Sequence, residues 1–147
     1  MDGMYRKLAV AIAINTVIMY LITFVNIAEL SHFENNINRA YMALLMAFPM
    51  VIIMLIVMRS MFQDGKLNRL LHVAAAGLFL LVLLAVRTQT PVGNEQFLHS
   101  MIPHHSSAIL MCEESSITDP EIARLCEEIV RSQKEEIAQM QGILERY

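Results

Sequence analysis

The sequence predicts an all-α membrane protein: three transmembrane helices followed by an extracytoplasmic antiparallel helical hairpin. Three observations carry this. The composition, 56% hydrophobic and 17% charged, is too apolar for an ordinary soluble domain. Three long apolar runs account for the excess. Behind them lies a more polar segment with two stretches of helical periodicity, separated by Thr118-Asp119-Pro120-Glu121. The net charge of -3 is modest and argues against nucleic acid as a partner.

The first apolar run extends from Leu8 to Ala28, long enough for the roughly 20 residues a span requires. Arg6 and Lys7 precede it, as in a secretory signal. The run exceeds the roughly 7 to 15 residues of a signal core, however, and no small-x-small cleavage site follows, so it reads as a retained helix. Its polar positions, Asn15, Thr16, Thr23 and Asn26, suit hydrogen bonds between membrane helices. The second run, Ala40 to Met58, carries Met42, Met46, Met50, Met54 and Met58 at four-residue spacing. A copper path through a bilayer would need such thioethers. Each four-residue step overshoots a turn by about 40°, so the row smears around the helix and also suits the filling of packing gaps. Pro49 should kink this helix. The third run, Leu70 to Val86, is short for a span and must tilt little.

Arg6, Lys7, Arg59, Lys66 and Arg69 flank one side of these runs, whereas the other side has Arg39 and Arg87 beside Glu29 and Glu34. The basic side is cytoplasmic by the positive-inside rule, which places the N-terminus inside and everything after Arg87 outside. The expected location is a bacterial inner membrane, with the C-terminal segment in the periplasm, where disulfides persist. The organisation is then a three-helix transmembrane domain at 1–87, a linker at 88–93 and a helical hairpin at 94–147. His72, at the cytoplasmic mouth, and His32, in the outer loop, read as interfacial side chains.

The linker Thr90-Pro91-Val92-Gly93 is rich in turn formers, and a helix should follow from Asn94 to Ser116. Thr118, with Glu121 three residues on and Pro120 in the first turn, signals the cap of a second helix running almost to Tyr147. Two helices joined so closely form an antiparallel pair.

The first of them opens with Met101, His104, His105, Met111 and Cys112, the densest group of soft or borderline ligands in the chain. Thioether, imidazole and thiol favour copper over oxygen-seeking cations. Leu98, Met101, His105, Ala108, Cys112 and Ser115 alternate three- and four-residue steps, the seam of a helix that packs on a neighbour. Ile122, Cys126, Ile129, Gln133, Glu136, Met140 and Ile143 form the matching seam. With the turn centred near Asp119, Cys112 faces Cys126, His105 faces Gln133, Met101 lies near Glu136, and Leu98 near Met140. Buried polar groups in such a seam demand pairing, water or a metal. Cys112 and Cys126 are equidistant from the turn, which suits a disulfide in an oxidising compartment. A thiolate pair binding Cu(I) is the alternative. His104 and Met111 lie together on one flank, two turns apart, and His99 should point to solvent.

The string Phe97-Leu98, Met101, Pro103-His104-His105, Ala108, Met111, followed by Ile129, Gln133, Glu136-Ile137 and Met140, resembles the domain of unknown function 305 family. The resemblance covers residues 94 to 146. It implies a ferritin-like four-helix bundle, of which the hairpin is half, and an association with copper. It also implies Met101, His104, His105, Met111, Gln133, Glu136 and Met140 as metal-site residues. The aromatic residue common near the end of the second helix is replaced by Gly142 and Ile143.

The expected function is therefore membrane-anchored binding of copper, as Cu(I) or Cu(II), in copper handling or resistance. No nucleophile-base pair, phosphate loop or zinc-hydrolase helix appears, so no enzyme is expected. The competing reading is a structural or assembly module in which His105, Gln133 and Glu136 set helix register. The expected partners are the lipid bilayer, a metal ion and a second copy of the chain: the seam and the His104 and Met111 flank both need neighbours, which a homodimer provides.

Overall fold

The computed structural model describes residues 3–147, which form five α-helices and a short 3-10 turn. These are α1 (Gly3–Ile22), the 3-10 turn Leu30–His32, α2 (Ile37–Val57), α3 (Gly65–Thr88), α4 (Asn94–Glu114) and α5 (Pro120–Leu144). Among the described residues α1, α2 and α3 are the helices long and apolar enough to cross a membrane. The chain divides into two compact units. One comprises the residues to Thr23 with Asn38–Pro91, the other Phe24–Ile37 with Val92–Tyr147.

In the first unit, Tyr5, Leu8, Leu55 and Phe62 form a core, with Met54, Met58 and Leu67 packed around it. The Tyr5 hydroxyl donates to Asn68 Oδ1 at 2.9 Å and accepts from the Asp64 N–H at 3.2 Å, which fixes α1 against the start of α3. The methionine row of α2 is split. Met54 and Met58 fill the core, whereas Met42, Met46 and Met50 expose 49%, 39% and 38% of their surface, so no single groove receives all five.

All three apolar helices differ in extent from the runs that predict them, α2 by only three residues at its start and one at its end. α3 starts at Gly65 because the Asp64 carboxylate caps it, accepting from the N–H groups of Lys66 and Leu67 at 3.0 Å each. It ends where Gln89 turns left-handed, at φ 52°, with its N–H bonded back to the last turn. α1 stops at Ile22, short of the expected Ala28, because the chain beyond it belongs to the second unit.

That unit is built around α4 and α5, which pack on each other. Cys112 bonds Cys126 near their connection, His105 meets Glu136 midway, and Asn94 Nδ2 donates to the Tyr147 hydroxyl at the far ends. Leu98, Ile102, Ile109, Ile137 and Met140 make the core, with Ile102 wholly buried. α5 is capped by Asp119 and not by Thr118: the Asp119 carboxylate accepts from the N–H groups of Glu121 and Ile122 at 2.8 and 3.2 Å. A carboxylate directly before Pro120 both caps the helix and complements the positive end of its dipole.

The remainder of the unit is the loop 24–37, which straps α4. The stacked rings of Phe24 and Phe33, with centroids 4.2 Å apart, close the strap on itself. Its Ala28 N–H donates to Ser106 Oγ at 2.8 Å, and His32 Nδ1 shares the same hydroxyl at 2.9 Å. Pro103 sits inside α4 and has no N–H, so the His99 carbonyl one turn back loses its helical donor. Asn36 Nδ2 replaces it, donating to that carbonyl at 3.2 Å. The Ile37 N–H, an open donor at the start of α2, is taken by Gln96 Oε1 at 3.0 Å. Both His32 and Asn36 are buried, so the strap belongs to the core of this unit.

Candidate metal centre

Backbone geometry fixes the imidazole of His105. Its Nδ1 lies 2.8 Å from the Met101 carbonyl oxygen one turn earlier. A carbonyl only accepts, so Nδ1 carries the proton and Nε2 is turned outward. Nε2 meets Glu136 Oε2 at 2.6 Å. The imidazole is buried, whereas the Glu136 side chain remains half exposed. With Nδ1–H committed, a neutral ring would set a lone pair against a carboxylate. At this distance the two groups are joined through a proton. A histidine whose second nitrogen donates to a backbone carbonyl is also the arrangement that orients metal-ligating imidazoles.

His105 faces Glu136, and not the expected Gln133, for a stated reason. Helical side chains lean toward their own N-terminus, so His105 reaches away from the α4–α5 connection and Glu136 reaches back toward it. Two residues of unequal distance from the turn thereby meet.

The other expected residues sort into three groups. Met140 belongs to the core and Met101 packs against it, so both thioethers border the buried side of this unit. Gln133 lies one turn before Glu136 on α5 and is half-buried. His104 is exposed and its ring meets that of His105 edge-on, with centroids 6.1 Å apart, while Met111 is 67% exposed; neither joins the ion pair of His105 with Glu136. Cys112 and Cys126 are joined in a disulfide with Cα atoms 5.3 Å apart, and in this state they offer no thiolate. Among the described residues no three His, Cys, Asp or Glu side chains converge on one point. One chain thus contributes one imidazole and one carboxylate here.

His99 is not solvated. Its Nδ1 lies 2.7 Å from Glu34 Oε2 of the strap and its Nε2 3.5 Å from Glu95 Oε1, with 18% of the side chain exposed. Glu34, Asn36 and Ser106 are the residues that periodicity overlooks. Pro103 in mid-helix is the local signal, since it orphans a carbonyl that some donor must reach. Residues 94–147 carry ten acidic and four basic side chains, a balance that draws cations toward the unit.

Residues 57–144 match the family model described as a domain of unknown function, DUF305. The match begins at the end of α2 and so takes in α3 together with both helices of the second unit. The chain is also similar to the uncharacterized protein L153 of Acanthamoeba polyphaga mimivirus, 34% identical over 112 residues, which is 75% of this chain and 72% of that protein. No solved structure matches.

Proposed function

The chain belongs to the DUF305 family, and from that premise we propose that it is a membrane-anchored, non-catalytic protein that binds copper outside the cytoplasm, in copper handling or resistance. One observation carries the reading: the His105 imidazole and the Glu136 carboxylate meet at 2.6 Å with the opposite ring nitrogen already committed to the Met101 carbonyl. Met101, Met140 and Gln133 are the neighbouring donors that would complete the set. Imidazole and thioether are soft or borderline ligands that suit copper, as Cu(I) or Cu(II), better than magnesium or calcium. His105 and Glu136 would hold the ion, and the chain's part is to keep His105 in a single tautomer. The helices α4 and α5 form an antiparallel hairpin, half of a ferritin-like four-helix bundle that a homodimer completes. The acidic balance of this half supports cation capture.

The full-length protein, purified in mild detergent and titrated with copper under competition from a chelator, is expected to bind a stoichiometric amount. Saturable binding that is absent at every ratio would leave the competing reading, a register or assembly module. That reading has its own support, since His105 and Glu136 already satisfy each other as an imidazolium-carboxylate pair.

The excess of Lys and Arg at Arg6, Lys7, Arg59, Lys66 and Arg69 supports a cytoplasmic N-terminus with residues 88–147 outside, in the periplasm if the membrane is a bacterial inner membrane. The disulfide supports an oxidising location. A reporter fused after Tyr147 is expected to be active only outside the cytoplasm. Activity confined to the cytoplasm would overturn both the topology and the extracytoplasmic copper reading.

A further inference from the structure

The strap 24–37 sorts its side chains sharply. Phe24, His32 and Asn36 are buried within the second unit, whereas Val25, Leu30 and Phe33 expose 70%, 88% and 52% of their surface. Leu30 is the most exposed large apolar side chain among the described residues. A connecting loop that met only water would be polar on that side. The strap contains no Lys or Arg, and its two acids are engaged, Glu34 by His99 and Glu29 by the Ser31 hydroxyl.

Covalent connection says what these residues meet. Both ends of the strap run directly into helices apolar enough to cross a membrane: Val25 stands three residues after the end of α1, and Phe33 four before the start of α2. At no more than about 3.6 Å per residue, each is held within about 15 Å of a span end. Arg39 ties the two exits together by donating to the Thr23 carbonyl. Tyr20 and Tyr41 lie within about a turn of the same two ends, where tyrosine marks the headgroup level of a bilayer. We propose that Val25, Leu30 and Phe33 insert into the interfacial layer of the bilayer on the side where α1 ends, as a superficial membrane contact additional to the spans. Apolar side chains of a surface element settle about 5 to 10 Å into the boundary between headgroups and acyl chains. Without Lys or Arg in the strap, the contact does not call for anionic lipid. The strap also holds α4 through Ser106 and His99, so the lipid contact bears on the helix that carries His105. The inference rests on α1 and α2 spanning a membrane, and not on the metal reading.

The chain has no Trp, so a single introduced indole reports its own surroundings. Leu30→Trp and, as a second reporter, Val25→Trp replace exposed side chains and leave the core as it is. The full-length protein is placed in phosphatidylcholine nanodiscs, where both faces are open to iodide. Both reporters are expected to emit to the blue of Glu128→Trp, on the exposed side of α5, to be quenched by phosphatidylcholine brominated high on its acyl chains, and to resist iodide. Ile53→Trp, about one turn inside the far end of α2, should be quenched by the same lipid and gauges the span. If it is quenched while Leu30→Trp and Val25→Trp answer to iodide alone, the proposal is overturned and the spans stand. Strap reporters shielded from both quenchers overturn it too, since a protein surface such as a second copy then covers them. An Ile53→Trp untouched by brominated lipid removes the spanning helices themselves, and the proposal with them.

Discussion

Replacing His105 by alanine is expected to abolish stoichiometric copper binding by the full-length protein, whereas His99→Ala leaves it within a few-fold of wild type. The two residues share a helix and each touches a carboxylate, so the contrast separates a ligand from a salt-bridge partner. His105 offers Nε2 because Met101 holds Nδ1. His99 has both nitrogens engaged, by Glu34 and Glu95, and its work is to fasten the strap. Loss of an outer partner of a metal ligand costs about 10- to 100-fold in affinity, and loss of the ligand itself should exceed that. Chelator competition reads the affinity, and hydrogen exchange across α4 and α5 reads the fold. Exchange should accelerate in the strap of the His99→Ala protein, with its copper affinity kept. Equal loss of copper in both variants would show that the effect is structural, and undiminished binding in His105→Ala would remove this residue from the site.

The three helices apolar enough to cross a membrane and the capped start of α5 are legible in the sequence because each rests on local chemistry: apolar length, and a carboxylate or hydroxyl before a proline. Even there the cap moved by one residue, since Thr118 and Asp119 are both good caps and only the backbone decides between them. The disulfide follows from two seam positions equidistant from one turn. The strap is not legible. Residues 24–37 have no period of two or of 3.6, and their bonds reach 59 to 78 residues along the chain, to Gln96, His99 and Ser106. His99 looked solvated because nothing on its own helix, apart from Glu95, is there to meet it. The partner of His105 was misplaced by one turn because seam arithmetic pairs Cα positions, whereas contacts form between side-chain ends that lean along the helix. What remained of the metal-site residues was visible as a cluster of ligand types, but not which of them share a point in space.

Removing the Cys112–Cys126 bond, as Cys112→Ser with Cys126→Ser, is expected to destabilise the second unit by about 3 kcal/mol, the loop-closure value for a link of this length. The bond spans 14 residues and closes the end of the α4–α5 pair opposite to the Asn94–Tyr147 contact. Without it, the helices near the connection are held by exposed features such as the Lys134–Glu113 pair at 2.9 Å, and exposed pairs contribute little. The chain has no Trp, so urea unfolding is best followed by hydrogen exchange or by proteolysis within α4 and α5. Protection should be lost first near Cys112 and Cys126 and should survive longest around Ile102 and Ile137, which are nearly inaccessible to water. Copper affinity is the decisive second measurement. If His105, Glu136 and the thioethers hold the ion, the serine variant binds it with little change at temperatures where it remains folded. If affinity for Cu(I) collapses in that variant and rises in wild type on reduction, the sulfurs themselves are the ligands and the disulfide is the form that withholds them. Thiol labelling of wild type, denatured without reductant and freed of metal, fixes the starting state: no label is expected, and two labelled cysteines would mean that the bond does not form in the protein as made.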